Sequence, residues 1–281
     1  MAVAAASPAT PLRGRGGFAA AAVLLCAALV AVPAAAAKPA SPPTLQPGKL
    51  IVAFGDPAVG FASGTVRGST ITNPRGYEVD LATDIAKGLG LTPQWTYTSW
   101  NGLFLPGTKK FDVSFQEATI TSQRARTITF SSPYLNANQG VLISKQTTPP
   151  KSIADVKKLQ TCAQTNTTGL DWINSDLKPT KRPLTYPTTT AAFQAVQLNQ
   201  CQALILDVPI VALQAKADPG KYGPVAGQID THEKYGAVMQ KGSKLVPLID
   251  AQIAKLTANG TIGKLQKKWF NLDFSKIPTL H

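Results

Sequence analysis

The amino-acid sequence predicts an α/β protein of two lobes with a ligand cleft between them. Its 281 residues are 44% hydrophobic and 15% charged, which is typical of a chain with a packed core. Short apolar runs alternate with helical patterns, and this alternation is typical of parallel βαβ units. The alternation occurs in two halves, and a late strand pattern at 233–241 indicates a return to the first half. Ligands of such sheets bind beyond the carboxyl ends of the strands.

The first 36 residues have the layout of a secretory signal peptide. Arg13 and Arg15 precede an apolar run over residues 18–32, and an alanine-rich stretch follows it. A membrane anchor is the alternative, but the run has 15 residues, whereas a spanning helix needs about 20. We therefore predict a signal peptide over 1–36, cleavage near Ala36, and a periplasmic or extracellular location.

The elements of the first half follow a proline-rich linker at residues 37–47. They are a strand at 49–55, a helix at 76–90, and strands at 93–100 and 110–115.

The second half repeats the pattern and then returns. Its predicted strands are 137–145, 160–164, 184–187 and 202–207, and its predicted helices are 152–159, 169–177, 189–200 and 208–218. After the returning strand, two helices at 244–260 and 261–270 complete the pattern. These elements place lobe I at residues 48–136 plus 238–281 and lobe II at residues 137–237.

Charge and motifs argue against several classes of function. The net charge is +13, but the basic runs are short, and we expect no nucleic-acid partner for an exported chain. The two histidines, His232 and His281, lack the spacing of metal ligands, so we expect neither a metal nor a cofactor. A glycine-rich phosphate loop, a GxSxG elbow and an HExxH motif are missing from the sequence, which favours a binding protein over an enzyme.

Two cysteines, Cys162 and Cys201, remain after the predicted signal peptide. An even number of cysteines in an oxidising compartment favours a disulfide, with two buried free thiols as the alternative. We predict the disulfide.

Arg124 is the first candidate for ligand binding. Thr121, three residues earlier, has the type and position of a helix N-cap, which places a cation in a first turn where the helix dipole disfavours it. An arginine fork can hold a carboxylate through two hydrogen bonds; a solvated surface arginine is the alternative. Thr119 and Thr121 alternate around Ile120, so one hydroxyl can face the cleft while the other caps the helix.

Three further candidates follow predicted strands. Thr168 opens a helix and could meet an anion, although threonines at helix starts usually act as caps. Asp207 ends a strand and could hold an ammonium group, with a helix cap as the alternative. Trp100 could form an apolar wall or belong to the core. Together these residues predict an anion site, an ammonium partner and an aromatic wall, which suit a zwitterionic amino acid.

Three motifs follow one another in the first half of the sequence: GYEVDLATDIA at 76–86, FDVSFQEATITSQR at 111–124 and FSSPY at 130–134. With them the sequence resembles the extracellular solute-binding proteins of polar amino acid ABC importers, solute-binding family 3. The likeness continues through YGAVMQKG at 235–242 and NGTIGKLQKKWF at 259–270, and covers about residues 48–272.

The resemblance implies a type II periplasmic-binding-protein-like fold, with two α/β lobes that close on an amino acid by hinge bending. It also implies a monomer that docks on a membrane permease. By the same resemblance, Arg124 binds the ligand α-carboxylate, with help from Thr168 and the backbone amide of Glu117.

The resemblance implies the other subsites too. Thr119 and Asp207 would bind the α-ammonium, and Trp100 would pack on the ligand.

Two departures from the family pattern affect the ligand. Ala58 or Val59 stands where the family has a tyrosine, so one aromatic face is missing unless Phe54 or Phe61 replaces it. Glu117 stands where the family commonly has Gly or Ser, and its negative charge favours a polar or cationic L-amino acid over glutamate or aspartate. Alternatively, Glu117 turns outward and does not affect specificity.

A second class of function stays open, an exported cyclohexadienyl dehydratase-like enzyme on the same scaffold. Glu117 would then donate or accept the proton. A substrate without an ammonium group would leave Asp207 unpaired in the cleft, and this cost favours binding. An extracellular receptor domain is a third class, which we disfavour because the sequence shows no second membrane span.

Overall fold

The structure, a computed structural model, describes residues 41–281. The predicted signal peptide and cleavage site, together with linker residues 37–40, lie outside the described residues. Across residues 41–281, none of the helices has the length and hydrophobicity that crossing a membrane requires.

Two sheets organise the chain. The strands are β1 (Lys49–Phe54), β2 (Ser63–Arg67), β3 (Thr70–Arg75), β4 (Thr92–Tyr97), β5 (Val113–Ser114), β6 (Ile128–Asn136), β7 (Gln139–Ile143), β8 (Thr161–Gln164), β9 (Leu184–Tyr186), β10 (Ala203–Asp207), β11 (Val225–Ile229) and β12 (Lys234–Gln240). The helices are α1 (Tyr77–Gly88), α2 (Trp100–Leu103), α3 (Ile153–Val156), α4 (Thr168–Trp172), α5 (Thr189–Gln197), α6 (Val208–Ala217), α7 (Val246–Ala258) and α8 (Thr261–Trp269).

The first sheet has seven strands in the order β2-β3-β4-β1-β5-β12-β6, and the second has five in the order β11-β7-β10-β8-β9. Strand β1 pairs in parallel with β4 and β5, and β8 pairs in parallel with β9 and β10. Strand β12 pairs antiparallel to β5 and β6, which confirms the predicted return of the chain to the first sheet. The fold is therefore the predicted two-lobed α/β architecture, while the residues at which the lobes divide stay a prediction.

An aromatic cluster lies in the hydrophobic core. Phe61, Tyr77 and Tyr235 are fully buried, and Phe61 meets each tyrosine edge to face at about 6 Å between ring centroids. The Tyr77 hydroxyl donates to the backbone oxygen of Tyr134 at 3.2 Å. These rings fix the positions of the tyrosine hydroxyls, two of which reach the carboxylates described below.

The predicted disulfide is confirmed. Cys162 in β8 is bonded to Cys201, just before β10, with 5.8 Å between their α-carbons. The bond joins two neighbouring parallel strands of the second sheet at the ends where they begin.

Candidate functional site

One cavity collects residues from the connections that follow strands of both sheets. Its lining consists of Asp56, Ala58, Trp100, Gln116, Glu117, Thr119, Arg124, Gln164, Thr167, Thr168, Thr189, Leu206, Asp207 and Ile210. All six residues predicted to bind the ligand are in this set. The structure therefore brings the predicted site residues together; their roles stay a prediction.

Arg124 lies in a single 3-10 turn, Arg124–Arg126, and not in the α-helix that the sequence predicted. The hydroxyl of Thr121 accepts the backbone N–H of Arg124 at 3.1 Å, so its predicted capping contact is present on this shorter element. The guanidinium donates to the backbone oxygens of Thr119 and Asn166, both at 2.9 Å. Because a guanidinium has five N–H donors, three remain for a ligand.

Two aromatic rings support the guanidinium of Arg124. Its central carbon lies 4.3 Å from the ring centroid of Phe104 and 5.2 Å from that of Trp100. The indole N–H of Trp100 donates to the backbone oxygen of Asn166 at 3.3 Å. Trp100 is thus half-buried at the cavity wall and contacts the second lobe as well as the arginine.

Asp207 is buried, and its carboxylate faces the cavity. It accepts hydrogen bonds from Gln139 and from the hydroxyl of Tyr235, both at 2.6 Å, and makes no capping bond to α6. Burial and the nearby charge of Glu233 raise the pKa of Asp207 to about 7, while hydrogen bonds from Tyr235 and Gln139 and the charge of Arg124 oppose the shift. A cationic partner would favour its charged form.

Glu233 is outside the set of cavity-lining residues but contacts two of them, and the sequence did not reveal it. Its Oε2 atom accepts three hydrogen bonds, from the hydroxyl of Thr119 at 3.0 Å, the hydroxyl of Thr168 at 2.7 Å and the side-chain amide of Gln139 at 3.1 Å. Thr119 is thus the hydroxyl that faces the cleft, as predicted for one of the pair. Neither Glu233 nor Gln139 lies in a motif that signals binding.

Glu117 lines the cavity and does not turn outward, and it has a left-handed backbone with φ of 46°. Its backbone N–H donates to Oε1 of Glu78 at 3.0 Å, so the amide that was expected to hold the ligand carboxylate is already engaged. Glu78 is buried and also accepts the hydroxyl hydrogen of Tyr134.

Burial raises the pKa of both carboxyl groups of the Glu78–Glu117 pair. The pKa of Glu78 rises to about 7, against the effect of its hydrogen bonds from Tyr134 and Glu117. Burial and the charge of Glu78 hold the pKa of Glu117 well above its usual range. Both shifts favour the neutral form, so each carboxyl holds its proton to a higher pH than an exposed glutamate does.

Ala58 forms the cavity wall where the family pattern has an aromatic residue. Neither proposed substitute fills the gap, since Phe54 packs on Trp95 in the core and Phe61 belongs to the aromatic cluster. A groove of about 230 Å³ adjoins the cavity and shares Ala58, Thr189 and Ile210 with it.

Comparison with known proteins places the chain in a family. The model of the bacterial extracellular solute-binding proteins, family 3, matches residues 60–272, and the chain belongs to this family. The L-cystine-binding protein TcyJ of Escherichia coli strain K12 is 25% identical over 204 residues, which cover 72% of this chain and 76% of that protein. The arginine-binding protein 1 of an ABC transporter from the same strain is 25% identical over 202 residues, covering 69% and 81% respectively.

A solved structure of an amino acid-binding protein is also similar to this chain. The ancestral amino acid-binding protein AncCDT-1, described as a precursor of cyclohexadienyl dehydratase, superimposes with a TM-score of 0.69 at 29% identity. The match covers 79% of this chain and 95% of that one. The chain is thus a solute-binding protein of this family, and the two curated relatives named here are binding proteins and not enzymes.

Proposed function

We propose that this protein is the substrate-binding component of an amino acid ABC importer, which captures a polar or cationic L-amino acid by lobe closure and delivers it to a membrane permease. One observation supports it above all: Arg124 and Asp207 lie in the same cavity with free hydrogen-bonding capacity of opposite kinds. A zwitterion offers a carboxylate to the first and an ammonium to the second.

The charge balance of the site supports a cationic or polar side chain. Arg124 is balanced by the ligand α-carboxylate and Asp207 by the α-ammonium, which leaves Glu233 and the Glu78–Glu117 pair. A ligand carboxylate would meet surplus negative charge, whereas a cation or an amide donor would find acceptors. The named ligands of the relatives, cystine and arginine, agree with this class.

A ligand panel tests the proposal by thermal shift and calorimetry, with arginine, lysine, glutamine, cystine, glutamate and aspartate. At a concentration of about 100 times the dissociation constant, a bound ligand adds roughly 2.7 kcal/mol to the free energy of unfolding, which is visible as a melting shift. We expect arginine, lysine, glutamine or cystine to shift the melt most. The proposal is wrong if glutamate or aspartate does so, or if a ligand without an amino group does.

The dehydratase alternative has one observation in its favour. Burial raises the pKa of both members of the Glu78–Glu117 pair, and a general acid near neutral pH requires a raised pKa. AncCDT-1 is described as a precursor of such an enzyme. Binding is favoured because a substrate without an ammonium group leaves Asp207 and Glu233 without a cation. Incubation with a cyclohexadienyl acid, followed by mass spectrometry, should show unchanged substrate.

Export and partners are part of the same proposal. We expect the secreted protein to begin at Ala37 by N-terminal sequencing, after cleavage of a signal peptide over 1–36. Size-exclusion chromatography should show a monomer. The liganded, closed form should stimulate ATP hydrolysis by its cognate permease complex.

A further inference from the structure

We propose that Glu233 is a positioning residue that makes the hydroxyls of Thr119 and Thr168 acceptors for the α-ammonium of the ligand, and that this contact forms only when the lobes close. The inference rests on the proposed function. It deepens that function by assigning a role to a carboxylate outside the predicted site.

The hydrogen bonds to Glu233 fix the direction in which both threonine hydroxyls donate. A threonine hydroxyl has one hydrogen and two lone pairs, and an ionised carboxylate only accepts. Thr119 and Thr168 both direct their hydroxyl oxygens at Oε2 of Glu233, at 3.0 and 2.7 Å. Each hydroxyl hydrogen is therefore committed to Glu233, and only lone pairs remain for the cavity.

The number of acceptors matches the ligand ammonium. An ammonium group has three donors and no acceptor. Thr119, Thr168 and Asp207 all line the cavity, and each offers an oxygen with a free lone pair. Three acceptors match three donors, and the hydroxyl of Thr168 then serves the ammonium.

The acceptor oxygens lie close to one another. A single nitrogen, Nε2 of Gln139, lies 2.6 Å from Oδ1 of Asp207, 3.1 Å from Oε2 of Glu233 and 3.2 Å from Oγ1 of Thr168. Oxygens that share one neighbour at these distances lie within a few ångströms of each other. Thr168 and Asp207 are thus neighbours, and Thr119 is joined to them through Oε2 of Glu233 at 3.0 Å. We therefore expect one ligand nitrogen to reach all three acceptors.

The residues that form the ammonium site come from both lobes. Thr119 follows β5 of the first sheet, Thr168 opens α4 after β8 of the second, and Glu233 lies on the segment that returns to β12. One carboxylate oxygen thus holds both lobes. Opening the cleft would break at least one of these bonds, so the ammonium site is complete only in the closed form.

The test compares two ligand pairs by calorimetry: L-arginine with 5-guanidinopentanoate, and L-glutamine with glutaramate. Each second ligand keeps the carboxylate and side chain but lacks the ammonium. We expect Glu233→Ala to weaken the amino acids about ten- to a hundredfold, because both hydroxyls lose their orientation. The des-amino acids should change by less than about threefold. Glu233→Gln keeps an acceptor oxygen and should recover part of the loss.

The controls separate positioning from general damage. Asp230→Asn removes an exposed carboxylate three residues away and should leave all affinities unchanged. The losses from Glu233→Ala and Thr168→Val should add only in part, because Thr168→Val removes one of the two hydroxyls that Glu233 orients. Equal weakening of amino acids and des-amino acids by Glu233→Ala would overturn the inference while leaving the proposed function intact. A wild-type protein that binds no amino acid of the panel would overturn both.

Discussion

The backbone N–H of Glu117 donates to the carboxylate of Glu78 at 3.0 Å, and this contact places two acidic side chains against each other beside the cavity. Tyr134 donates to the same carboxylate, and Asp207 adds a further negative charge. The backbone contact fixes the geometry of the Glu78–Glu117 pair. Either carboxyl group of the pair can hold a proton.

The pair predicts a dependence of stability on pH. In the unfolded chain each carboxyl loses its proton near its usual pKa, whereas the pKa of Glu78 in the folded protein is about 7. The folded state therefore holds more protons in this interval, and the free energy of unfolding should fall as the pH rises from about 4.5 to about 7. Urea denaturation of the ligand-free protein at several pH values measures this slope.

Glu117→Gln should reduce that slope, because it removes one of the two coupled acids. Glu117→Gly should act in the same direction and also relieve the left-handed backbone at φ 46°. Asp176→Asn, at an exposed position, is the control and should keep the wild-type slope. A slope that is identical in Glu117→Gln and the wild type would contradict the shared proton.

Arg124→Met should abolish ligand binding while the protein stays folded. Loss of one partner of a buried charge pair typically costs about 3–5 kcal/mol, which is over a hundredfold in affinity. Arg126→Met is the control, because Arg126 lies in the same turn but is exposed. Calorimetry with the best ligand of the panel measures both. Binding by Arg124→Met within a few fold of the wild type would show that the anion site lies elsewhere.

Removal of the disulfide should lower stability without changing the ligand site. The bond closes a loop with a sequence separation of 39 residues, and the chain-entropy estimate for such a loop is about 3–4 kcal/mol. The double variant Cys162→Ala with Cys201→Ala should lose this amount by urea denaturation and keep ligand affinity within a few fold. Two alkylated thiols on the folded, unreduced wild-type protein would disprove the bond itself.

Ala58→Tyr should tighten the binding of arginine. The side chain would restore an aromatic face at the cavity wall, and a cation–π contact contributes about 0.5–2 kcal/mol, or roughly two- to thirtyfold. Val59→Tyr is the neighbouring control: Val59 is exposed and lies outside the cavity lining. Weaker binding by Ala58→Tyr would mean that the ligand itself extends past Ala58 toward the adjoining groove.

The regular elements could be predicted because their sequence patterns are local. The apolar run that predicted β1 and the helical pattern that predicted α1 each lie within one short segment. The structure has both elements. The hairpin β2–β3 was missed, because most of its residues are exposed and its sequence is rich in threonine and glycine. Strand β6 was missed because Pro133 interrupts it where its pairing with β12 shifts register.

The candidate site was predicted only in part, because its remaining contacts join residues that are distant in sequence. Glu233 meets Thr119 across a separation of 114 residues, and a glutamate before a strand is usually a surface residue. Glu78 lies in α1, and nothing in its sequence neighbourhood indicated that its side chain is buried and in contact with Glu117. Contacts between acidic residues that are distant in sequence leave no periodic pattern along the chain, so only the three-dimensional structure reveals them.

The place of β12 in the first sheet has a consequence for the order in which the molecule assembles. Strand β12 lies between β5 and β6, although the whole second lobe separates it from them along the chain. Until that segment has been synthesised, β6 lacks its partner, and the edge of β5 stays open. The first lobe cannot complete its sheet ahead of the second, so a chain emerging from the ribosome stays incompletely folded until nearly all of it has been made.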